Sequence, residues 1–320
     1  MKKQIDFAVG GQAVLEGVMM RSPNYVVIAV RKKNKEIKIN KRKYQTLIQK
    51  KKYLNIPILR GMINLVEMMI VGTKAINYSA NEMMDDLMTE DEKKKSNTKT
   101  AQILQAVMGI VSFVLAIFLA LFLFKFLPLS IASWLETKFD LIKNNYMIFN
   151  LIDGGIKISI FLLYIVLLTI SKNFRRLFEY HGAEHKSIFT YEKNLALIPD
   201  NAKKQIRFHP RCGTSFIIIV LLLSILVYTV VPRMPEFWQN LSLRVALLPL
   251  IAGISYECLK LSAKHTSNFL VKILITPGLW SQRLTTKEPD KSQLEVGLAA
   301  LKEALELEER FTKAKGWQKS

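Results

Sequence analysis

Long runs without a charged residue constrain the fold of this chain more than any other feature. Four windows are apolar enough to predict helices that cross a membrane: residues 101–124, 158–170, 214–231 and 241–259. A helix needs about 20 residues to cross a hydrocarbon core. The first and third windows are free of charge, whereas Lys157, Arg244 and Glu257 accompany the other two. For these two windows, a buried helix of a soluble protein is the alternative interpretation.

Basic residues are distributed unevenly between these windows. Residues 125–143 and 233–244 hold few of them, and residues 1–99 are strongly basic. The segment between the second and third windows holds many: Lys172, Arg175, Arg176, Lys186, Lys193, Lys203, Lys204, Arg207 and Arg211. Because lysine and arginine accumulate in cytoplasmic loops, we expect a multi-pass protein of the bacterial plasma (inner) membrane. Both termini and the loop 172–213 are predicted to lie in the cytosol.

The composition limits the partners of the chain. Half of its 320 residues are hydrophobic, and its formal net charge is +20. This pairing is typical of a protein that contacts the lipid bilayer and presents its basic residues to anionic lipid. Nucleic-acid binding would account for the charge but not for the apolar runs, so no DNA partner is predicted. Only two cysteines occur, Cys212 and Cys258, which excludes a disulfide framework.

The predicted fold is mainly α: a polytopic membrane protein with a four-helix transmembrane bundle and a small α+β cytosolic domain. Residues 1–80 are expected to form a cytosolic β-rich unit with an amphipathic helix, and residues 81–100 a charged linker. Residues 101–259 form the membrane domain, and residues 260–320 a cytosolic interfacial segment and a C-terminal helix. The cytosolic pieces are each too small to bury a core, so we expect them to pack together.

Local patterns suggest the elements of this cytosolic part. Residues 25–30 and 36–40 are predicted to form two strands joined by a charged turn at residues 32–35, and Gly10-Gly11 is expected to open a turn. From Pro57 onward, apolar residues recur at helical spacing. That helix lies either on the membrane surface or against the β-unit. Ser292 and Glu295 form a capping-box pattern at the start of the C-terminal helix.

The segment His181-x-x-Glu184-His185 is the strongest candidate for a site of chemistry. On a helix, residues four apart share a face, so both imidazoles can reach one ion. The pattern His-x-x-Glu-His is that of inverted zinc peptidases, in which the glutamate accepts a proton from water. In the alternative interpretation, these side chains bind no metal and are polar residues at the membrane surface that pair with neighbouring arginines. Gly182 weakens the helix that the pattern needs.

A zinc site needs a third protein ligand. His209, Cys212 and Glu257 are the candidates, because the predicted topology places all three near the same membrane face as His181 and His185. We expect at least one of them to converge with the two histidines. A structural site would use the same ligands without an open position. His209 and Cys212 could also form a nucleophile pair, although that spacing is more often structural.

Four segments resemble the bacterial YqhQ family: residues 10–21, 181–186, 209–215 and 277–286. They span nearly the whole chain. The family is described as membrane proteins and predicted metal-dependent enzymes. The resemblance therefore implies a membrane topology and a bound divalent metal, for which zinc fits best.

Two functions compete on these observations. The first is a metal-dependent hydrolase, a protease or a lipid-processing enzyme, that acts on a membrane protein or lipid at the cytosolic face. The second is a non-catalytic membrane factor whose basic face docks the protein translocation or insertion machinery or the ribosome. A transporter is disfavoured because the sequence shows no internal repeat and no charge at mid-span.

Reporter fusions test the predicted topology. A reporter at Lys193 should report the cytosol, and reporters at Asn144 and Gln239 should report the opposite side, because the sparsely charged loops are expected outside. A cytosolic signal at Asn144 would contradict the four-span topology.

Overall fold

The computed structural model describes residues 9–89, 92, 98–231, 234–264 and 268–317. These residues are mainly helical and include one small antiparallel sheet. Four helical segments are long and apolar enough to cross a membrane: Ile103–Glu136, Tyr146–Ile170, Gly213–Val230 and Phe237–Ser262. They coincide with the predicted windows, but the second begins twelve residues earlier than the window at 158 and includes polar residues that the window omitted.

The sheet is a meander whose strands pair in chain order: β1 (Gly10–Val14), β2 (Gly17–Arg21), β3 (Tyr25–Arg31) and β4 (Ile37–Lys43). The predicted hairpin across residues 32–35 is present. The first hairpin corrects the expectation of a turn at Gly10 and Gly11, because both lie within β1. The chain instead turns at Leu15 and Glu16, where Glu16 adopts a φ of 49°. A Cβ at Gly17 would lie 2.2 Å from the Ala29 carbonyl oxygen, so that position requires glycine.

The helices follow in chain order: α1 (Leu47–Lys50), α2 (Leu59–Asp85), α3 (Lys99–Leu121), α4 (Leu127–Glu136), α5 (Asp140–Lys143), α6 (Tyr146–Ile170), α7 (Lys172–Glu192), α8 (Pro199–Lys203), α9 (Gly213–Val230), α10 (Phe237–Ala246), α11 (Leu248–Lys264), α12 (Phe269–Thr285) and α13 (Lys291–Trp317). A π-helical turn, Phe122–Phe126, joins α3 to α4. The loop predicted at residues 172–213 is therefore largely helical. Helix α2 continues to Asp85 and so includes the first five residues of the segment predicted as a charged linker, residues 81–100. Residues 90, 91 and 93–97 of this segment, and His265, lie outside the described residues.

The sheet packs with α2, α7 and α13 in one unit, which we term the head. One face of the sheet packs on α7 and α13 through Val18, Met20, Val27, Ala29, Tyr180, Ile188, Val296 and Leu301. The opposite face packs on Val71 and Ala75 of α2. Because both faces are covered, β3 is a continuous apolar run rather than an alternating one.

The second half of helix α2 packs on the sheet. Of the two placements that the sequence left open, this is packing against the β-unit. The first half of α2 contacts α11, where a Cβ at Gly61 would lie 2.9 Å from the Gly253 carbonyl oxygen. The outer side of α2 is apolar and exposed, with Val66 56% and Met69 50% accessible. Met69 and Val66 therefore lie on the side of α2 that faces away from the sheet.

Buried charge lies inside the apolar helices, which corrects the expectation of a charge-free interior. Lys125, Asp153, Lys157 and Arg244 are exposed by 7, 1, 1 and 5%. Asp153 pairs with both Lys157 and Arg244. Lys157 and Arg244 accompany two of the apolar windows, whereas Asp153 lies outside all four, so its pairing with them could not be predicted from the windows. The argument against a transporter from missing mid-span charge therefore fails.

The capping box of α13 lies two residues before the predicted one. The Asp290 carboxylate accepts from the Gln293 backbone N–H at 2.8 Å, and the Gln293 side chain accepts from the Asp290 N–H at 2.9 Å. Ser292 donates to Asp290 instead of capping the helix.

We expect Asp290→Ala to destabilise the start of α13 by about 1 kcal/mol, because it removes the acceptor of the first turn. Ser292→Ala should have a much smaller effect. Hydrogen exchange at the amides of Gln293 and Leu294 measures both changes. Equal effects of the two substitutions would contradict the assignment.

Candidate metal centre

Helix α7 presents His181 and His185 from successive turns of the same face. Their ring centroids lie 4.4 Å apart. Cys212 precedes α9 as its N-cap residue, and its Sγ lies 3.2 Å from His181 Nε2. One ligand atom from each of the three residues can be chosen so that all lie within 4.8 Å of one another. The structure therefore brings Cys212 to the two histidines.

The imidazole orientations are set by backbone carbonyls. His181 Nδ1 lies 2.8 Å from the Thr285 carbonyl oxygen, and His185 Nδ1 contacts the Arg207 carbonyl oxygen. A carbonyl oxygen only accepts, so each Nδ1 must carry the proton. Each Nε2 is then the nitrogen that turns toward the cluster. Metal-binding histidines are typically oriented by such second hydrogen bonds.

Glu184 lies beside both Nε2 atoms. Its Oε2 is 3.9 Å from His181 Nε2 and 3.5 Å from His185 Nε2, and the residue is only 4% exposed. Strand β1 makes room for it, because a Cβ at Gly11 would lie 2.6 Å from Glu184 Cγ. Gly11 therefore leaves space for the Glu184 side chain, although the Gly10-Gly11 pair had predicted a turn.

Gly182 keeps the helix close to the segment that follows α12. A Cβ at Gly182 would lie 2.1 Å from the Lys287 carbonyl oxygen. The Lys287 N–H donates to the Phe178 carbonyl at 2.9 Å, which ties this segment across α7. The glycine therefore does not interrupt the helix. It allows the contact that places the Thr285 carbonyl beside His181.

The charge state of Cys212 depends on its neighbours. Burial alone would raise the pKa of its thiol, but His181 and His185 together hold that pKa well below 9.0. Burial lowers the pKa of His181, yet the Cys212 thiolate and Glu184 outweigh it and raise the pKa to about 9. The thiol Sγ also accepts from the Thr214 N–H at 3.4 Å at the N-terminus of α9, where negative charge is favoured. Cys212 is thus arranged as a thiolate.

His209 lies next to the cluster but outside its three-residue donor set. Its ring centroid is 5.6 Å from that of His185, and its Nε2 lies 3.4 Å from a carboxylate oxygen of Glu192. Burial, followed by the charge of His185, lowers the pKa of His209 to about 4. His209 is therefore a neutral neighbour that packs against Phe189.

Glu257 does not join the cluster. Its carboxylate forms an ion pair with Arg60 of α2. Of the three candidates for a third ligand, Glu257 is therefore the one that the structure places with a different partner, because α2 packs on α11.

Sequence reasoning missed the side chain that holds the cysteine loop in place. Gln282 is fully buried. Its Oε1 accepts from the His209 N–H at 2.7 Å, and its Nε2 donates to the His209 carbonyl at 2.8 Å and to the Ser215 hydroxyl at 2.9 Å. Gln282 lies within the segment 277–286, so the resemblance marked the region without giving it a role.

The donor set fits a zinc ion. Two imidazole nitrogens and a thiolate are ligands that zinc prefers, and tetrahedral zinc ligands lie roughly 3.5 Å apart given bonds of about 2.0–2.3 Å. The separation of 3.2 Å between His181 Nε2 and Cys212 Sγ is close to that spacing.

The fold and this site define a helical protein with four candidate membrane spans and a His-His-Cys cluster at the start of one of them. Residues 56–307 match the family described as "Protein of unknown function (DUF1385)", and the chain belongs to that family. It is 37% identical over 313 residues to "Uncharacterized protein YqhQ" of Bacillus subtilis (strain 168), covering 96% of this chain and 95% of that protein. The resemblance to the YqhQ family is thereby confirmed. No solved structure matches the chain.

We expect Cys212 to titrate well below 9.0 in protein treated with a chelator. In a Cys258→Ser background, the ultraviolet absorbance of the thiolate should persist as the pH falls below 9.0. His181→Ala should raise the pKa of Cys212, because burial then acts with less opposing charge. Cys212→Ser is the blank. A titration near 9.0 that His181→Ala leaves unchanged would contradict the predicted pairing.

Proposed function

We propose that this protein is a metal-dependent hydrolase of the bacterial plasma membrane, with its head and metal centre on the cytosolic side. His181, His185 and Cys212 would hold a zinc ion, and Glu184 would act as the general base. The observation that carries the proposal is the pair of Nδ1–carbonyl contacts, which leave both Nε2 atoms for the cluster, with His181 Nε2 3.2 Å from the Cys212 sulfur. A metal binds the neutral imidazole, so it would displace the proton from His181 Nε2.

The ends of the apolar helices support a site at the membrane face. Helix α9 begins directly after Cys212, and α7, which carries both histidines, begins at Lys172 after α6 ends at Ile170. The cluster therefore lies at the start of one apolar helix. The basic residues of the head, with the net charge of +20, favour the cytosolic side for it.

Zinc, when bound, supplies a Lewis acid that polarises a carbonyl and lowers the pKa of water. Glu184 would accept the proton of the attacking water, because its Oε2 lies within 3.9 Å of both Nε2 atoms. Burial of Glu184 beside Gly11 limits its exposure to bulk water. Gln282 would fix the position of the loop that carries Cys212, and the Thr285 carbonyl would fix the orientation of the His181 ring.

A peptide substrate is favoured by the position of β1. Among the described strands, β1 pairs only with β2, and its Gly11 contacts Glu184. An extended peptide can add to such an edge through backbone hydrogen bonds. We therefore infer a membrane-associated polypeptide as the substrate, with a lipid ester as the second possibility that the same chemistry allows.

A non-catalytic docking factor is the second candidate function. Strand β4 favours it, because Lys41, Arg42 and Lys43 are all exposed. Such a surface suits an anionic partner: lipid, ribosomal RNA or an acidic part of the translocation machinery.

Metal analysis tests the centre first. Purified protein should contain about one zinc per chain, as a single site of this type holds. His181→Ala and Cys212→Ser should lose it. His209→Ala and Glu257→Gln should retain it, because neither side chain belongs to the donor set. Equal zinc in all four variants would overturn the metal centre.

Glu184→Gln separates the two functions. It should retain zinc while turnover falls roughly 100- to 10,000-fold, since Gln cannot accept a proton. Comparison of membrane peptides and lipids from cells with either form detects the accumulating substrate. Loss of zinc from Glu184→Gln would instead make this residue a ligand of a closed site. Intact zinc, with unchanged peptides and lipids, would favour the docking factor.

A further inference from the structure

A second polar site lies inside the apolar helices, away from the metal centre. It consists of Lys125, Asn150, Asp153, Lys157, Tyr228 and Arg244, which we term the interior cluster; Asp153 precedes the end of α6 by 17 residues, about 25 Å of helix. It is therefore a separate site rather than an extension of the metal centre.

Three cations surround one tyrosine ring in this cluster. Lys125 Nζ, Lys157 Nζ and Arg244 Cζ lie 5.1, 4.9 and 4.8 Å from the centroid of the Tyr228 ring. The polar contacts of the cluster include a single carboxylate, that of Asp153. Both Lys157 and Arg244 contact its Oδ2 atom. Positive charge is thus in excess in a buried, apolar setting.

Lys125 carries the unmatched charge. Its Nζ contacts the Tyr228 hydroxyl at 2.9 Å, and that hydroxyl donates to the Arg244 carbonyl at 3.0 Å. A neutral hydroxyl and a ring face offset only part of the desolvation of a buried ammonium. Moreover, Lys125 lies in the π-helical turn, a feature that is frequent at functional sites.

The cluster borders a small cleft and has a free acceptor. Asn150, Tyr228 and Arg244 of the cluster line this cleft together with Asn240, whereas Lys125 and Asp153 are not among its lining residues. Within the described part of the chain, the buried Oδ1 of Asp153 has no hydrogen-bond partner. A ligand that satisfied both features would bring negative charge and a hydrogen-bond donor.

We propose that the interior cluster binds a phosphate group that carries a hydroxyl donor. Lys125 and Arg244 supply the positive charge for its oxygens, and Asp153 Oδ1 accepts from its hydroxyl. Hydrogen phosphate and the headgroup of phosphatidylglycerol both have this chemistry. A chloride ion lacks the donor, and phosphatidylcholine lacks the hydroxyl.

Thermal unfolding of the full-length protein in detergent tests the proposal. Inorganic phosphate or phosphatidylglycerol should stabilise it, whereas chloride at matched ionic strength and phosphatidylcholine should not. Lys125→Met should weaken the response at least about tenfold, because it removes a charge-assisted contact. Lys143→Gln, an exposed lysine from the same part of the chain, should respond as the native protein does.

The arms of the experiment identify the source of the phosphate. A response to inorganic phosphate identifies a free anion, and a response to phosphatidylglycerol alone identifies a lipid headgroup. Without ligand, Lys125→Met should be at least as stable as the native protein, because it removes excess charge without stranding Asp153. The proposal is overturned if the native protein responds to neither phosphate source or responds equally to chloride. It is also overturned if Lys125→Met leaves the response unchanged or makes the ligand-free protein less stable.

Discussion

The contact between Gln282 and the backbone of His209 determines how the separate parts of the site meet. Both backbone groups of His209 are engaged by one buried side chain, so the loop before α9 is fixed to α12. Cys212 follows in that loop, and the Thr285 carbonyl follows Gln282 on α12. One amide therefore sets the position of the thiol and, through its helix, the orientation of the His181 ring. A buried amide with its partners in place gives a unique arrangement, because any other leaves polar groups unsatisfied.

The two polar clusters differ in what compensates their burial. At the His-His-Cys cluster, His181 and Cys212 offset one another as imidazolium and thiolate, and carbonyls accept the ring protons on Nδ1. The interior cluster has no such balance, since Asp153 faces three cations. Burial of charge is costly in either place. The first cluster reduces this cost with its own residues, whereas the described contacts of the second leave positive charge in excess.

The sequence predicted features that depend on local spacing. Charge-free runs predicted the apolar helices, because little else accommodates them, and four-residue spacing placed His181 and His185 on one face. The choice between Cys212 and Glu257 could not be made in this way, since it depends on whether α9 or α11 meets α7. Gly10 and Gly11 misled because a glycine pair usually marks a turn, whereas Gly11 here accommodates the Glu184 side chain. The cap at Asp290 was missed because Ser292 and Glu295 satisfy the same short pattern.

The head is assembled from the two extremes of the chain. Strands β2 and β3 pack on α13, and the Glu308 carboxylate binds the Ser22 hydroxyl and the Asn24 backbone. During synthesis, the sheet strands emerge before α7 and α13, the two helices that cover this face. The four apolar helices are all made before α13 is added. Closure of the head is thus a late step, and truncation before α13 leaves part of this sheet face uncovered.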